Sequence, residues 1–102
     1  MEGYIIKFHP EFFDDLNKLS KNEIDIFEKK KEKIKQNPLR LEHLSGGGNC
    51  YSEKITSNFR LIYYIRKNEI WMLTIDKHKP AYKNFRKRLY SLKTKYIGGG
   101  AE

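Results

Sequence analysis

Cysteine, proline and long apolar runs are scarce in this chain of 102 residues, and each shortage excludes a class of protein. The single cysteine, Cys50, cannot form an internal disulfide, and the absence of CxxC and HxxxH spacings argues against a zinc site. No apolar stretch approaches the roughly 20 residues that span a bilayer, and the first residues lack the pattern of a secretion signal. We therefore expect a soluble, cytoplasmic protein that uses no metal and no other cofactor.

The length of the chain allows one domain with a single core, and it contains no repeat and no interdomain linker. We assign residues 1–97 to that domain. The remaining residues, 98–102, include three glycines and no side chain suited to packing, so they are predicted to form a flexible tail.

Negative charge is almost missing from the second half of the chain. The net charge is +8, yet the first 53 residues hold nine Lys or Arg against ten Asp or Glu. Residues 54–96 hold twelve basic residues and only two acidic ones, Glu69 and Asp76. Such a basic region is typical of polyanion-binding proteins, since each Lys or Arg that meets a phosphate releases condensed counterions. The pattern favours a nucleic-acid partner over the alternative, a basic surface that only aids solubility.

Hydrophobic periodicity divides the chain into strands and helices. The first helix follows Pro10, carries apolar residues at helical spacing, and has Asp15 among its outward-facing positions. Ser20 and Glu23 form a capping box that opens the second helix, which ends before Pro38. The strands are predicted at 4–8, 50–55, 59–66 and 70–75, and a last basic helix is predicted at 80–93.

The order β-α-α-β-β-β predicts an α+β domain in which helices pack on one face of a mostly antiparallel sheet. Residues 39–49 contain three glycines, but they lack the strand-to-helix context of a phosphate-binding loop and are predicted as a polar connection. Alternation along the strands places Lys54 and Arg60 together on the face away from the helices. His78 follows the last strand, among cations.

A guanidinium, a lysine, a histidine and a tyrosine on a basic surface suit metal-independent cleavage of RNA. In that reaction the ribose 2′-OH attacks the adjacent phosphate, which requires a base, an acid for the leaving 5′-oxygen and fixed cations. Histidine carries protons near neutral pH, and the planar fork of arginine fits dispersed phosphate charge. The alternative is that His78 is an ordinary surface residue of a basic segment.

From Tyr4 to about Leu92 the chain resembles the RelE/ParE superfamily of toxins from toxin–antitoxin systems. The resemblance rests on CYSEKI at 50–55, RLIYYI at 60–65 and LTIDKHKPAY at 73–82. It implies the RelE-like, microbial-RNase-like fold. Within the RelE and YoeB branches it implies a ribosome-dependent mRNA interferase that cuts codons in the A site and inhibits translation.

The resemblance also assigns catalytic roles to individual residues. Arg60 matches the phosphate-stabilising arginine, Lys54 matches a lysine of the RelE cleft, and His78 matches the catalytic histidine of YoeB-like members. Glu42 lies about where YoeB-like members place a glutamate base. The rival base, Glu53, is directed away from Arg60 by strand parity.

Substrate binding is predicted at Tyr82, which resembles the RelE tyrosine that stacks on the substrate base, and at Lys77 and Lys79, which would hold phosphates. Arg86 and its basic neighbours either grip ribosomal RNA or simply form the outer side of an amphipathic helix, and the two interpretations are compatible. The chain departs from the RelE pattern at Ser52, where RelE has a second cleft lysine.

The resemblance further implies an antitoxin partner, in addition to the ribosome and mRNA. We expect an acidic or amphipathic helical segment of that partner to cover Arg60 and His78. Two alternatives stay open: a ParE-like inhibitor of DNA gyrase, and a non-catalytic nucleic-acid-binding protein of the same fold. ParE-like members tend to lack the basic active-site set, so Lys54 together with Arg60 and His78 favours the ribonuclease.

Overall fold

The structure, a computed structural model, describes residues 3–40, 42–43 and 48–96. The predicted tail and residues 41 and 44–47 of the predicted polar connection lie outside the described residues. In chain order the elements are β1 (Ile5–Phe8), α1 (Phe12–Leu16), α2 (Lys21–Gln36), β2 (Glu42–His43), β3 (Cys50–Lys54), β4 (Phe59–Arg66), β5 (Glu69–Lys77) and α3 (His78–Ser91). They confirm the α+β class, with β2 as an addition inside the segment predicted as a loop.

The five strands form one sheet in the order β1-β5-β4-β3-β2, with β4 and β5 near its centre. β1 runs parallel to β5, and the other neighbours are antiparallel, so the mostly antiparallel sheet is confirmed. The register of β4 and β5 shifts between Ile62 and Tyr63, where Leu73 of β5 is the extra residue of a β-bulge. Both central strands are rich in apolar residues because both faces of the sheet are covered.

One face of the sheet packs against α1 and α2, as the sequence predicted. Phe12 and Phe27 are fully buried there against a set of strand residues that includes Tyr63. The capping box of α2 is also confirmed: the Ser20 hydroxyl accepts the Glu23 N–H at 3.2 Å, and the Glu23 carboxylate accepts the Ser20 N–H at 2.8 Å. Along 3–40, 42–43 and 48–96, no helix is long and apolar enough to cross a membrane.

The opposite face packs against α3 and forms a second apolar cluster. Phe85 and Leu92 are buried against Ile62, Tyr64 and other strand residues. The predicted C-terminal helix therefore exists, but it begins two residues early, directly after β5, and continues as a π-helical turn over Leu92–Tyr96. Its placement closes most of the face on which Lys54 and Arg60 were expected to emerge.

A carboxylate closes the edge of β5 beyond the end of β1. The parallel pairing ends where Phe8 lies opposite Met72, and no strand of the described residues pairs with the rest of β5 on that side. Asp15 of α1 takes this place, accepting the Ile75 N–H at 3.0 Å and the Thr74 hydroxyl at 3.1 Å. Asp15 is only 3% exposed, so the prediction that it faces outward is wrong.

The charge of Asp15 is balanced by Arg88 of α3. The guanidinium donates to both carboxylate oxygens, one of these bonds measuring 3.1 Å, and also to the Leu73 carbonyl at 2.9 Å. The Asp15 side chain is 2% exposed and the Arg88 side chain is 11% exposed. This buried ion pair ties α1 to α3, and it removes Arg88 from the residues available to grip RNA.

A buried histidine also joins the start of the chain to its last helix. His9 Nδ1 accepts the Glu11 N–H at 3.1 Å, and Nε2 lies 3.2 Å from the Ser91 hydroxyl. The ring of Tyr96 packs edge-on against the imidazole at a centroid distance of 5.8 Å. Burial, helped by the positive charge of Arg88, lowers the pKa of His9, although nearby carboxylates oppose this. The neutral imidazole therefore fits the site, with Nε2 donating to Ser91.

Candidate functional site

Lys54 and Arg60 lie side by side at one end of the sheet. They are direct partners in the register of β3 and β4, so their side chains leave the sheet on the same face. Ile62 and Tyr64 alternate with them on that face and are buried beneath α3. Arg60 is also opposite Asp76 of β5. Three neighbouring strands thus place charged residues just beyond the apolar cluster of α3.

His78 is brought to the same end of the sheet because β5 passes into α3 without a connecting loop. Its exposed ring packs against Tyr82, one helical turn later, at a centroid distance of 4.6 Å. The Tyr82 hydroxyl lies 3.1 Å from the hydroxyl of Ser52, which shares the strand face of Lys54. A chain of contacts therefore runs from His78 to the strand that carries Lys54.

The cations of this region are not neutralised within the described part of the chain. Neither the Lys54 side chain nor the Arg60 side chain forms an ion pair or hydrogen bond with a described residue, and the same holds for the His78 side chain beyond its ring contact. The nearby Asp76 carboxylate accepts the N–H of Lys77 at 2.7 Å. Lys54 and Arg60 outnumber the one described carboxylate of the three strand ends, Asp76, so this end of the sheet carries an excess of positive charge that attracts anions.

The two glutamates considered as a base occupy different places. Glu42 belongs to β2 and lies opposite Ser52 in the register, so it is next to β3, the strand that carries Lys54. Its side chain is not among those that the structure describes. Glu53 lies on the α2 face, is 8% exposed and accepts a bond from Lys30 at 3.3 Å. Strand parity correctly directed Glu53 away from Arg60.

The residues predicted to bind substrate are spread more widely. Lys77 is in register with Phe59, which packs on the side of α1 and α2, so the strand register does not bring Lys77 to the site. Lys79 and Arg86 are exposed on α3. The guanidinium carbon of Arg86 lies 5.9 Å from the ring centroid of Phe85, a cation–π contact.

The described residues offer neither a nucleophilic cysteine nor a cluster of side chains suited to a metal ion. Cys50 is fully buried beneath α3, and burial raises the pKa of its thiol to about 12, so it is not a nucleophile. Among residues 3–40, 42–43 and 48–96, no group of three or more His, Cys, Asp or Glu could hold a metal ion.

Sequence reasoning missed the role of Ser52 in fixing Tyr82. Ser52 stands out only as a departure from the RelE pattern, and its contact with Tyr82 spans 30 positions along the chain. The one available signal is strand parity, which puts Ser52 on the same face as Lys54. Parity cannot show which helix residue reaches that face.

Comparisons with known proteins agree with this geometry at the level of the fold. No protein-family model and no curated protein sequence matches the chain. A variant of the Escherichia coli toxin RelE in the free state has a TM-score of 0.74 at 23% identity, over 85% of this chain and 98% of that one. A chain of the YoeB–YefM complex from Staphylococcus aureus gives a TM-score of 0.61 at 23% identity, over 76% of this chain and 99% of that one. The Mycobacterium tuberculosis toxin–antitoxin complex RelBE2 gives 0.63 at 22% identity, over 76% and 100%.

The chain therefore has the RelE-like fold that these toxins share, as the sequence resemblance predicted.

Proposed function

We propose that this protein is the toxin of a toxin–antitoxin pair and that it acts as an endoribonuclease. The observation that carries the proposal is the placement of Lys54, Arg60 and His78 at one end of the sheet, on the face that α3 covers. The similar solved structures are toxins, two of them in complexes with antitoxins, which supports the same assignment.

The proposed reaction is attack of a ribose 2′-OH on the adjacent phosphorus. A bond forms between the 2′-oxygen and phosphorus while the bond from phosphorus to the 5′-oxygen breaks. His78 donates a proton to the departing 5′-oxygen, and Arg60 and Lys54 stabilise the charge of the phosphorane. The 2′-OH proton passes to Glu42 or to a lysine. The side-chain cations supply the electrostatic stabilisation, so the proposed step is metal-independent.

The proposed substrate is mRNA held in the A site of the ribosome, in the cytoplasm. The exposed Lys79 and Arg86 lie along α3 from His78 and are suited to contacts with phosphates. Such contacts position a nucleic acid without reading its sequence, so the ribosome would present the codon and the protein would supply the chemistry.

The proposal is tested with purified protein, translating ribosomes and a defined mRNA, with cleavage mapped by primer extension. Arg60→Ala and His78→Ala should each lower the cleavage rate about 100-fold or more, the usual scale for electrostatic and acid–base groups. Lys29→Ala is the matched control because it removes one exposed positive charge from α2 and should leave the rate unchanged. The upstream fragment should end in a 2′,3′-cyclic phosphate.

Unchanged rates in both site variants would contradict the catalytic assignment. Intact mRNA together with inhibited DNA supercoiling by gyrase would instead favour the ParE-like alternative, and neither effect would favour a non-catalytic binding protein. A further arm adds the cognate antitoxin, whose acidic or amphipathic helical segment we propose to cover Arg60 and His78. Undiminished cleavage in the complex would contradict that occlusion.

A further inference from the structure

Tyr82 is restrained on three sides by described residues. Its hydroxyl lies 3.1 Å from the Ser52 hydroxyl, and Ser52 is 8% exposed. Its ring packs against the His78 imidazole at 4.6 Å with an interplanar angle of 55°, and against Phe85 at 6.5 Å with an angle of 85°. The side chain is therefore clamped between a strand hydroxyl, a buried core ring and the exposed imidazole.

These contacts limit how Tyr82 can serve a substrate. The ring packs at a tilt against His78 and nearly perpendicular to Phe85, so part of its surface is already covered. The hydroxyl contact with Ser52 fixes the position of the end of the side chain, because a change in χ1 would move the Tyr82 oxygen away from the Ser52 oxygen. The packing against His78 and Phe85 restricts rotation of the ring itself. A fixed ring in turn limits the orientations that the neighbouring imidazole can adopt.

We infer that Ser52 and Tyr82 are positioning residues that together hold the His78 imidazole. The inference rests on the proposed function, in which His78 must present one nitrogen to the 5′-oxygen. An acid held in one orientation reacts more often than one that rotates freely, so the pair acts on the chemical step rather than on RNA binding.

The identity of residue 52 makes this arrangement a property of the present chain. A serine hydroxyl can donate to or accept from the tyrosine hydroxyl, and it fits the nearly closed space at that position. The RelE-like lysine that the sequence resemblance places here is longer and charged. Ser52 thus replaces a cation with a hydroxyl that acts through Tyr82.

The test compares Ser52→Ala, Tyr82→Phe and the double variant in the ribosome assay under single-turnover conditions. Each single variant should lower the rate constant at saturation about fivefold to tenfold, the scale of one lost hydrogen bond, and leave the half-saturating protein concentration within about twofold. The double variant should be no slower than the singles, because both remove the same interaction. The matched controls are Ser57→Ala and Tyr90→Phe, both at exposed positions.

A second readout follows the imidazole directly, without RNA. The His78 ring protons, assigned by their loss in His78→Gln, should shift in the NMR spectra of Ser52→Ala and Tyr82→Phe and stay in place in both controls. If Tyr82 stacks on a base instead, Tyr82→Phe and Ser52→Ala keep full activity and only Tyr82→Leu weakens binding.

Unshifted His78 protons in both variants would overturn the inference. The two failures are distinguishable. If the proposed function is wrong, the wild-type protein does not cut mRNA, but the NMR shifts of the His78 ring protons still show whether Ser52 and Tyr82 hold the imidazole.

Discussion

Replacing Arg88 with methionine is the sharpest test of how the two layers of helices are held together. Methionine keeps much of the length and apolar contact of the side chain but removes the guanidinium. Asp15 would then remain at the edge of β5 as a charge that is 3% exposed and has lost its paired guanidinium. Its bonds from Thr74 and from the Ile75 N–H would persist.

Removal of one partner from a buried ion pair typically destabilises a protein by about 3–5 kcal/mol. The two remaining bonds to Asp15 favour the lower end, so we expect a loss of about 3 kcal/mol in the free energy of unfolding. Domains of this size have stabilities of about 5–15 kcal/mol, so this loss is a large fraction of the total. The melting temperature should fall by about 12 °C or more.

Urea denaturation followed by circular dichroism measures this loss. Arg86→Met is the matched control, since Arg86 lies on the same helix and is exposed, and its unfolding free energy should stay within about 0.5 kcal/mol of wild type. Adding Asp15→Asn to Arg88→Met should recover about 1–2 kcal/mol, because asparagine is neutral and can still accept the Ile75 N–H. If Arg88→Met is no less stable than Arg86→Met, the ion pair does not anchor α3 and this reasoning is refuted.

Two further predictions concern buried titratable groups. Because the native state lowers the pKa of His9, the unfolded chain binds more protons below its ordinary pKa of 6.5, so stability should fall as the pH drops from 7 to 5. His9→Gln should flatten that dependence in urea titrations, and an unchanged slope would contradict the buried neutral imidazole. The Cys50 thiol, with its pKa raised to about 12 by burial, should not react with Ellman's reagent in the native protein and should react fully in 6 M guanidinium. Rapid labelling of the native protein would contradict the packing of α3.

The local signals in the sequence predicted most of the fold. The bounds of β4 agree with the predicted range, and the capping box of α2 forms as expected. These features depend on residues a few positions apart, whose alternation or spacing fixes the local geometry. The same alternation put Lys54 beside Arg60 and turned Glu53 away from them.

The errors concern features that depend on distant residues. The local sequence around Asp15 is that of an ordinary outward-facing helix aspartate. Its partner, Arg88, lies 73 residues later in the chain, so local spacing cannot reveal the ion pair. The two-residue β2 carries too few residues for a pattern. Ile62 and Tyr64 lie on the same strand face as Arg60, and two such apolar side chains indicate that this face is buried. The sequence did not show that α3 is the element that buries it.

The separation between the interior and the charged end of the sheet has a consequence for how such proteins diverge. Both apolar layers require side chains of suitable volume, and cores tolerate exchange among aliphatic and aromatic residues when total volume is kept. Lys54, Arg60 and His78 lie together at one end of the sheet, outside the apolar layers, so substitutions in the interior need not move them. Most residues of the apolar layers can therefore be exchanged during evolution while the few charged residues at this end of the sheet keep their positions in space.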